Sequence, residues 1–451
     1  MRAKPARSRS VRSQSLIAVV AVSAMVSLAA CAPDSAEVNT QSGGVVGLTD
    51  TAGPTVTAGD CAGLKNGVGV TDKTITIANA SDITGLVPGL FKDVQQAVQA
   101  YVAYFNAGQS ICGRKLEYLP LDSRIDSVGD QSAAKQACNK AFALIGSMAA
   151  FDSGGAAAVQ SCGIPDLRTA TLTPARLKSD VTFAANSIAT NLVPTVVPDY
   201  FKQKYPEASQ HAAFLYLDAG SSQSSAVNEI AGWKKRGFKF VYTQGIDVLD
   251  ADYTPYVVQL KKKNVQYVQF IGNYSSAAKL AQAMRYQNFK PEVYLLDAAG
   301  YDFKYKSFGQ SAVEGTRVFI NSALFEEGSS NEEMRRYMGW LTKTSPRAYP
   351  TYFGLFAWAS ARLFTEEAIK LGGRLDRQTL LTSLKGVNDW TGHDLFAPQN
   401  VGKRETGTCT AIIRLEKGKW VREAPVEKQK FLCGSLVESG VSGAGRSSAK
   451  S

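Results

Sequence analysis

GVTDKTITIANASDITG, residues 69–85, holds a short β-branched run between glycine-marked turns. Residues 74–78 (TITIA) read as a strand and residues 85–89 as the loop that follows it. Beyond the loop, Val94, Ala97, Val98, Tyr101, Val102 and Phe105 fall on one side of a helix spanning about residues 94–105. Working outward, residues 115–121 read as a strand, 131–142 as a helix, 143–146 as a short buried strand, 156–161 as a helix and 164–167 as another strand. Strands alternating with longer amphipathic stretches imply a parallel sheet covered by helices on both faces.

The rhythm then repeats. Residues 192–204 read as helix, 212–217 as strand, 226–235 as helix, 238–242 as strand, 256–262 as helix, 267–271 as strand, 277–286 as helix and 293–296 as strand. The chain therefore carries two α/β lobes. A strand over 317–320 precedes two helices, 331–342 and 352–371, the second ending at Gly372-Gly373. Strands over 409–415 and 420–422 flank the turn Glu416-Lys417-Gly418-Lys419. The last stretch, 434–451, is rich in Gly and Ser and reads as a disordered tail.

At the other end, Arg2, Lys4, Arg7, Arg9 and Arg12 precede an apolar run of 15 residues, 16–30, shorter than a membrane-spanning helix requires. A basic region, a short apolar core and small residues at its end describe an export signal. Leu28-Ala29-Ala30-Cys31 resembles a bacterial lipobox, which makes 1–30 a lipoprotein signal peptide and Cys31 the lipidation site. The protein is then expected outside the cytoplasm, anchored to the outer face of the cell membrane. Residues 31–60, rich in Ser, Thr, Gly, Ala and Asp, read as a flexible tether. The formal charge is +11; the five basic residues named above leave with the signal, so the mature chain keeps +6. No Lys/Arg block remains to grip phosphates, and nucleic acid is not an expected partner.

Six cysteines follow the tether, an even number in an exported chain. Spacing alone leaves their pairing open; proximity and the alternation of elements favour Cys61–Cys112, Cys138–Cys162 and Cys409–Cys433. Without a C-x-x-C, and with His211 and His393 the only histidines, there is poor material for a metal site. Neither histidine stands beside a nucleophile motif, and no phosphate-binding or dinucleotide-binding glycine pattern occurs. No cofactor is expected, and binding without catalysis is the favoured activity.

Ligands of open α/β sheets sit beyond the carboxyl ends of the strands. The loops there are 84–91, 147–153 (SMAAFDS), 169–173 (TATLT), 218–225 (DAGSSQSS), 272–274 and 297–301 (DAAGY). Small hydroxylic residues interleaved with aromatics suit a small polar or aromatic-bearing ligand, amino-acid-like, amide or organic acid.

The stretch at 69–85 also resembles the opening of type I periplasmic binding proteins of the leucine/isoleucine/valine-binding kind. The likeness continues through AVQAYVAYFNAGQSICGRKLEYLPLDS (97–123), CGIPDL (162–167), YTPYVVQLKKKNVQYVQFIG (253–272) and AIIRLEKGKWV (411–421). It implies two Rossmann-like lobes joined by three hinge crossovers, near 186–191, near 321–325 and between Asp394 and Cys409. The first lobe would comprise 61–187 and 322–395, the second 188–321 and 396–433. It further implies hinge closure on a ligand, a motion for which periplasmic binding proteins are the usual example, and delivery of the ligand by a monomer to an ABC permease.

In amino-acid-binding members the ligand carboxylate is held after the third and fourth strands, and its ammonium by second-lobe tyrosines and a glutamate. Carried over by spacing, the third-strand positions fall on Met148, Ala149 and Ala150, with Phe151 and Ser153 next. The fourth-strand positions fall on Ala170 and Leu172, beside Thr171 and Thr173. The aromatic after the first strand falls on Leu90 or Phe91, the tyrosines on Ser222 and Asn273 beside Tyr274, and the glutamate on Ala298 beside Asp297. Several polar anchors of the amino-acid binders are thus replaced: the scaffold is kept and the pocket changed. The same fold serves ligand-sensing receptor domains. A surface hydrolase is the distant alternative and would lose turnover on changing His393 or Asp297.

Overall fold

The computed structural model describes residues 57–441. The signal segment, Cys31, most of the tether and residues 442–451 lie outside the described residues.

The first lobe is built on β1 (Thr74–Ser81), β2 (Lys115–Asp122), β3 (Ala143–Ile145), β4 (Asp166–Ala170) and β5 (Thr182–Asn186). They pair in the order β2-β1-β3-β4-β5, each pair parallel. Parallel neighbours require crossover connections; the helices Lys92–Gly108, Ser127–Lys140 and Ala156–Cys162 supply those from β1 through β4, and the short helix Pro174–Leu177 lies between β4 and β5. Every residue of β4 and β5 is buried, as expected of strands covered on both faces.

After β6 (Leu192–Pro194) the second sheet takes β7 (Ala212–Leu217), β8 (Phe240–Ile246), β9 (Tyr267–Ile271), β10 (Val293–Leu296), β11 (Arg317–Ile320), β12 (Cys409–Glu416) and β13 (Lys419–Ala424). Their order is β13-β12-β11-β10-β9-β7-β8. The pairs from β8 to β11 are parallel, whereas β12 runs antiparallel to β11 and β13 antiparallel to β12. β14 (Leu432–Cys433) pairs with β12.

The chain leaves the first sheet after β5, leaves the second after β11, and returns to it at β12. Between the last two passages the helices Glu332–Thr344 and Tyr352–Leu371 pack on the first lobe. Trp358 meets Tyr101 and Tyr104 of helix Lys92–Gly108 with ring centroids 4.9 and 5.5 Å apart, and the Tyr101 hydroxyl lies 2.6 Å from Thr365 Oγ1. Sixteen residues of helix Tyr352–Leu371 are buried, so it is a core helix rather than an amphipathic surface one.

Disulfides join Cys61 to Cys112, Cys138 to Cys162 and Cys409 to Cys433. The first closes the longest loop, a sequence separation of 51, and each bridge contributes roughly 2–4 kcal/mol by restricting the unfolded chain.

Several sequence readings are corrected. Residues 192–194 are extended, and the helix starts only at Val196. The strand read at 238–242 is Phe240–Ile246. β5 and the helices Phe303–Gly309 and Arg377–Lys385 were not anticipated. The tail reading fails for 434–441: β15 (Leu436–Glu438) pairs antiparallel with β6, and the Ser439 amide donates to the Asn191 carbonyl at 2.8 Å. Main-chain pairing makes this strand, and composition carries no sign of it. The tether reading ends early as well, because the Gly59 amide donates to the Ile369 carbonyl at 2.9 Å and the Gly373 amide to that of Asp60 at 2.6 Å.

A buried ionic cluster lies under β4. Arg176 Nε donates to Asp166 Oδ2 at 2.8 Å, Arg176 Nη1 stands 3.6 Å from Asp130, and Arg168 lies 3.8 Å from Asp152 and 3.6 Å from Asp166. All five side chains are essentially inaccessible. Burial pushes the carboxyls of Asp130 and Asp152 above the ordinary range, opposed by the two guanidiniums. Gly155 closes the cluster, since a Cβ there would stand 2.7 Å from Arg176 Nη1 and 2.8 Å from Asp130 Oδ2.

Candidate functional site

The two lobes touch at their facing loop ends. Helix Gly220–Lys235 opens at Gly220, whose φ of +55° is a conformation glycine adopts freely. A Cβ there would stand 3.0 Å from the Ala150 carbonyl oxygen and 3.5 Å from the Phe151 ring, in the loop after β3. At the rim, Phe303 of the second lobe stacks on Tyr349 of the first, with centroids 4.0 Å apart and ring planes within 13°. Asp93 and Asp302 also approach each other here; burial, with Asp93 adding to it, pushes the Asp302 carboxyl up to about 6.

Behind these contacts lies a cavity of about 210 Å³. Thr171, Leu172, Tyr352 and Phe353 wall it from the first lobe, and Val193, Val197, Ser225, Glu229, Asp297, Phe319 and Ile320 from the second. The crossovers complete it with Ser187, Ile188, Ala189 and Thr406 among others. Most of this wall is aliphatic or aromatic. An engineered apolar cavity of roughly 150 Å³ holds a benzene molecule, so a ring bearing a short chain fits here.

At the hinge side three polar groups bond in a ring. Asn186 Nδ2 donates to the Tyr352 hydroxyl at 3.1 Å, that hydroxyl to Asn321 Oδ1 at 2.6 Å, and Asn321 Nδ2 to Asn186 Oδ1 at 3.1 Å. The ring ties the ends of β5 and β11 to helix Tyr352–Leu371, satisfying polar groups that are otherwise costly to bury.

Two carboxyls break the apolar wall. Glu229 accepts a hydrogen bond from Gln269 Nε2 at 2.8 Å; Asp297, at the end of β10, receives the Ala299 amide. Both are half-buried and face the cavity. Burial, reinforced by Asp297, pushes the Glu229 carboxyl up to about 8. Burial also lifts Asp297 to about 7, against the Ala299 amide. No lysine, arginine or histidine is among the cavity-lining residues.

Of the residues singled out from sequence, Thr171, Leu172, Asp297 and Ala298 line this cavity. Phe91, Asn273 and Tyr274 line a smaller chamber of about 40 Å³, which shares Ala298, Ala299, Tyr352 and Phe353 with it. Asn273 is engaged locally, capping helix Tyr274–Tyr286 by accepting the Ser276 amide at 3.0 Å. Ala150 and Phe151 meet Gly220, Ala149 and Ala170 are buried, and Ser222 is a half-buried residue in the first turn of its helix. Neither histidine lines the cavity; His393 Nε2 lies 2.6 Å from Glu366 Oε1.

Sequence reasoning reached Ser225, the last residue of the 218–225 stretch, but missed Glu229, Tyr352, Phe353 and the crossover residues as cavity wall. Glu229 left a signal: it stands three residues after Ala226 and four before Trp233, both buried, so a charged residue occupies the helix's inward face.

A sequence model of the periplasmic binding protein family matches residues 74–419, spanning both sheets. The chain belongs to the periplasmic binding protein family. Membership implies a binding protein that works outside the cytoplasm. Among curated protein sequences none matches significantly. Solved structures do. A fatty acid ABC transporter substrate-binding protein from Thermomonospora curvata is 20% identical, with 82% of this chain and 95% of that one covered and a TM-score of 0.68. A leucine binding protein, LivK, from Thermotoga maritima is 16% identical, with coverage of 78% and 98% and a TM-score of 0.66. An ABC-transporter solute binding protein from R. palustris, solved in complex with 4-hydroxybenzoate, is 15% identical, with coverage of 81% and 97% and a TM-score of 0.64. At these identities the likeness establishes the type I fold of this binding protein, with its two lobes.

Proposed function

We propose that this binding protein is held at the outer face of the membrane by lipid on Cys31, closes its lobes over a small ligand, and passes it to an ABC permease. The observation that carries the reading is the cavity walled by both lobes and all three crossovers. A ligand there contacts both bodies only when they are together, so its binding energy favours closure. The cavity's mostly apolar wall narrows the expected ligand to one with a ring or short aliphatic body and few polar atoms. Thr171 and Asp297 contact it directly, and Phe91, Asn273 and Tyr274 frame the adjoining chamber. Small-molecule ligands named for the similar structures, leucine, fatty acids and 4-hydroxybenzoate, share such a body.

A thermal-shift screen of amino acids, amides, amines and aromatic acids is expected to return a compound that raises the melting temperature. Gly220→Val then weakens its binding by about tenfold or more, because a β-branched residue at positive φ presses on the Ala150 carbonyl and opposes closure. Equal affinity in this variant, with its circular dichroism intact, removes closure at this contact from the account.

A further inference from the structure

We infer that the cavity selects a positively charged ligand, a primary amine on an apolar body without a carboxylate, through the Glu229 and Asp297 carboxyls. The inference rests on the cavity being the ligand site, as proposed above. The cavity marks the site; the carboxyls decide the charge of what enters it.

Three observations bear on that charge. First, Glu229 is hydrogen-bonded through one oxygen, to Gln269, and the other has no hydrogen-bond partner among the described residues. Second, the groups facing the pair are Gln269 of β9, the Ala299 amide and the Tyr267 and Tyr352 hydroxyls, none of them a cation. Arg317 lies near Tyr267 but is held by Glu423 at 2.9 Å and by the Tyr205 hydroxyl at 2.6 Å. Third, the cavity wall contains no basic side chain that could pair with a ligand carboxylate. The chain thus sets two half-buried acids on one cavity with no cation beside them.

A cation reverses this arrangement. Seated against the carboxyls, an ammonium stabilises both as anions, with a Coulomb attraction larger than the same pair has in bulk water because the apolar wall lowers the local dielectric. An anionic ligand meets repulsion instead. A neutral one leaves the acids as they are, protonated to a large extent near neutral pH. Amine binding at neutral pH therefore expels protons from the pair, and affinity rises with pH until both acids are ionised.

The test uses the purified full chain and three probes of matched size: 2-phenylethylamine, 2-phenylethanol and phenylacetate. Titration calorimetry is expected to show the amine binding about tenfold or more tightly than the alcohol near pH 8, and the carboxylate weakest. Near pH 7 the heat of amine binding should vary with buffer ionisation enthalpy in the sense of proton release. Glu229→Gln combined with Asp297→Asn should abolish the amine's advantage over the alcohol. Alcohol or carboxylate binding as tightly as the amine overturns the charge inference and leaves the cavity reading standing. Failure of all three to bind overturns both.

Discussion

Glu229→Gln together with Asp297→Asn raises the melting temperature at about pH 8.5 and flattens its decline between about pH 6 and about pH 8.5. The sign follows from proton binding. Both acids titrate higher in the folded protein than in the unfolded chain, at about 8 and about 7. Where the unfolded state has already released its protons and the folded state has not, every further rise in pH favours unfolding. For each group the loss begins near pH 4 and is complete once pH passes the folded value, at up to about 1.4 kcal/mol per unit per group. The amides retain shape and hydrogen bonding but cannot ionise, so the penalty at high pH disappears.

Asp82, Asp93, Asp130 and Asp152 are also pushed upward by burial, and Asp302 reaches about 6. The comparison of interest is therefore the difference between wild type and double variant above about pH 6, followed by calorimetry or fluorescence melting. Parallel curves over that range mean that the pair is solvated well enough to ionise freely, and the cavity then has no electrostatic preference to exert. A larger stability at high pH without ligand has a functional counterpart: the wild-type protein holds an unfavourable charge pair that an ammonium would relieve. This is the pattern in which a binding site is less stable than its neutralised variant.

How much of this was legible in the sequence differs between scaffold and pocket. The β1 stretch, with Ile75 and Ile77 fully buried, and the stripe on helix Lys92–Gly108 are periodic because each packs on one dominant face or between two layers. Tyr352–Leu371 could be read end to end for the same reason. The cavity behaves differently. Its wall comes from three crossovers, the inner ends of β5, β10 and β11, the middle of helix Gly220–Lys235 and the first turn of helix Tyr352–Leu371, segments as far apart in the chain as Thr171 and Thr410. No local period records their meeting. Loop-end reasoning reached Thr171 and Asp297 because they end strands, whereas Glu229 sits within a helix and its isolation on the inward face was the only trace. β15 left still less, since Leu436–Glu438 joins the fold through backbone hydrogen bonds to β6.

Arg176→Met is expected to destabilise the protein by about 3–5 kcal/mol, more than loss of side-chain packing alone would account for. Methionine fills a similar volume, so the effect comes from charge. Wild-type Arg176 donates to Asp166 at 2.8 Å and to the Asp152 carbonyl at 3.3 Å, and stands 3.6 Å from Asp130. Its removal leaves three inaccessible carboxyls with Arg168 as their remaining guanidinium. Asp130→Asn in the same background should restore part of the loss, because the amide oxygen can still accept the Gly155 amide, at 2.6 Å in the wild type, while the uncompensated charge is gone. Non-additivity of about 1 kcal/mol or more in the resulting double-mutant cycle, read from urea unfolding, identifies charge as the cause. Additive losses assign it to packing. Lowering the pH supplies an independent check: the deficit should shrink as Asp130 and Asp152, already raised by burial, take up protons once their guanidinium is removed.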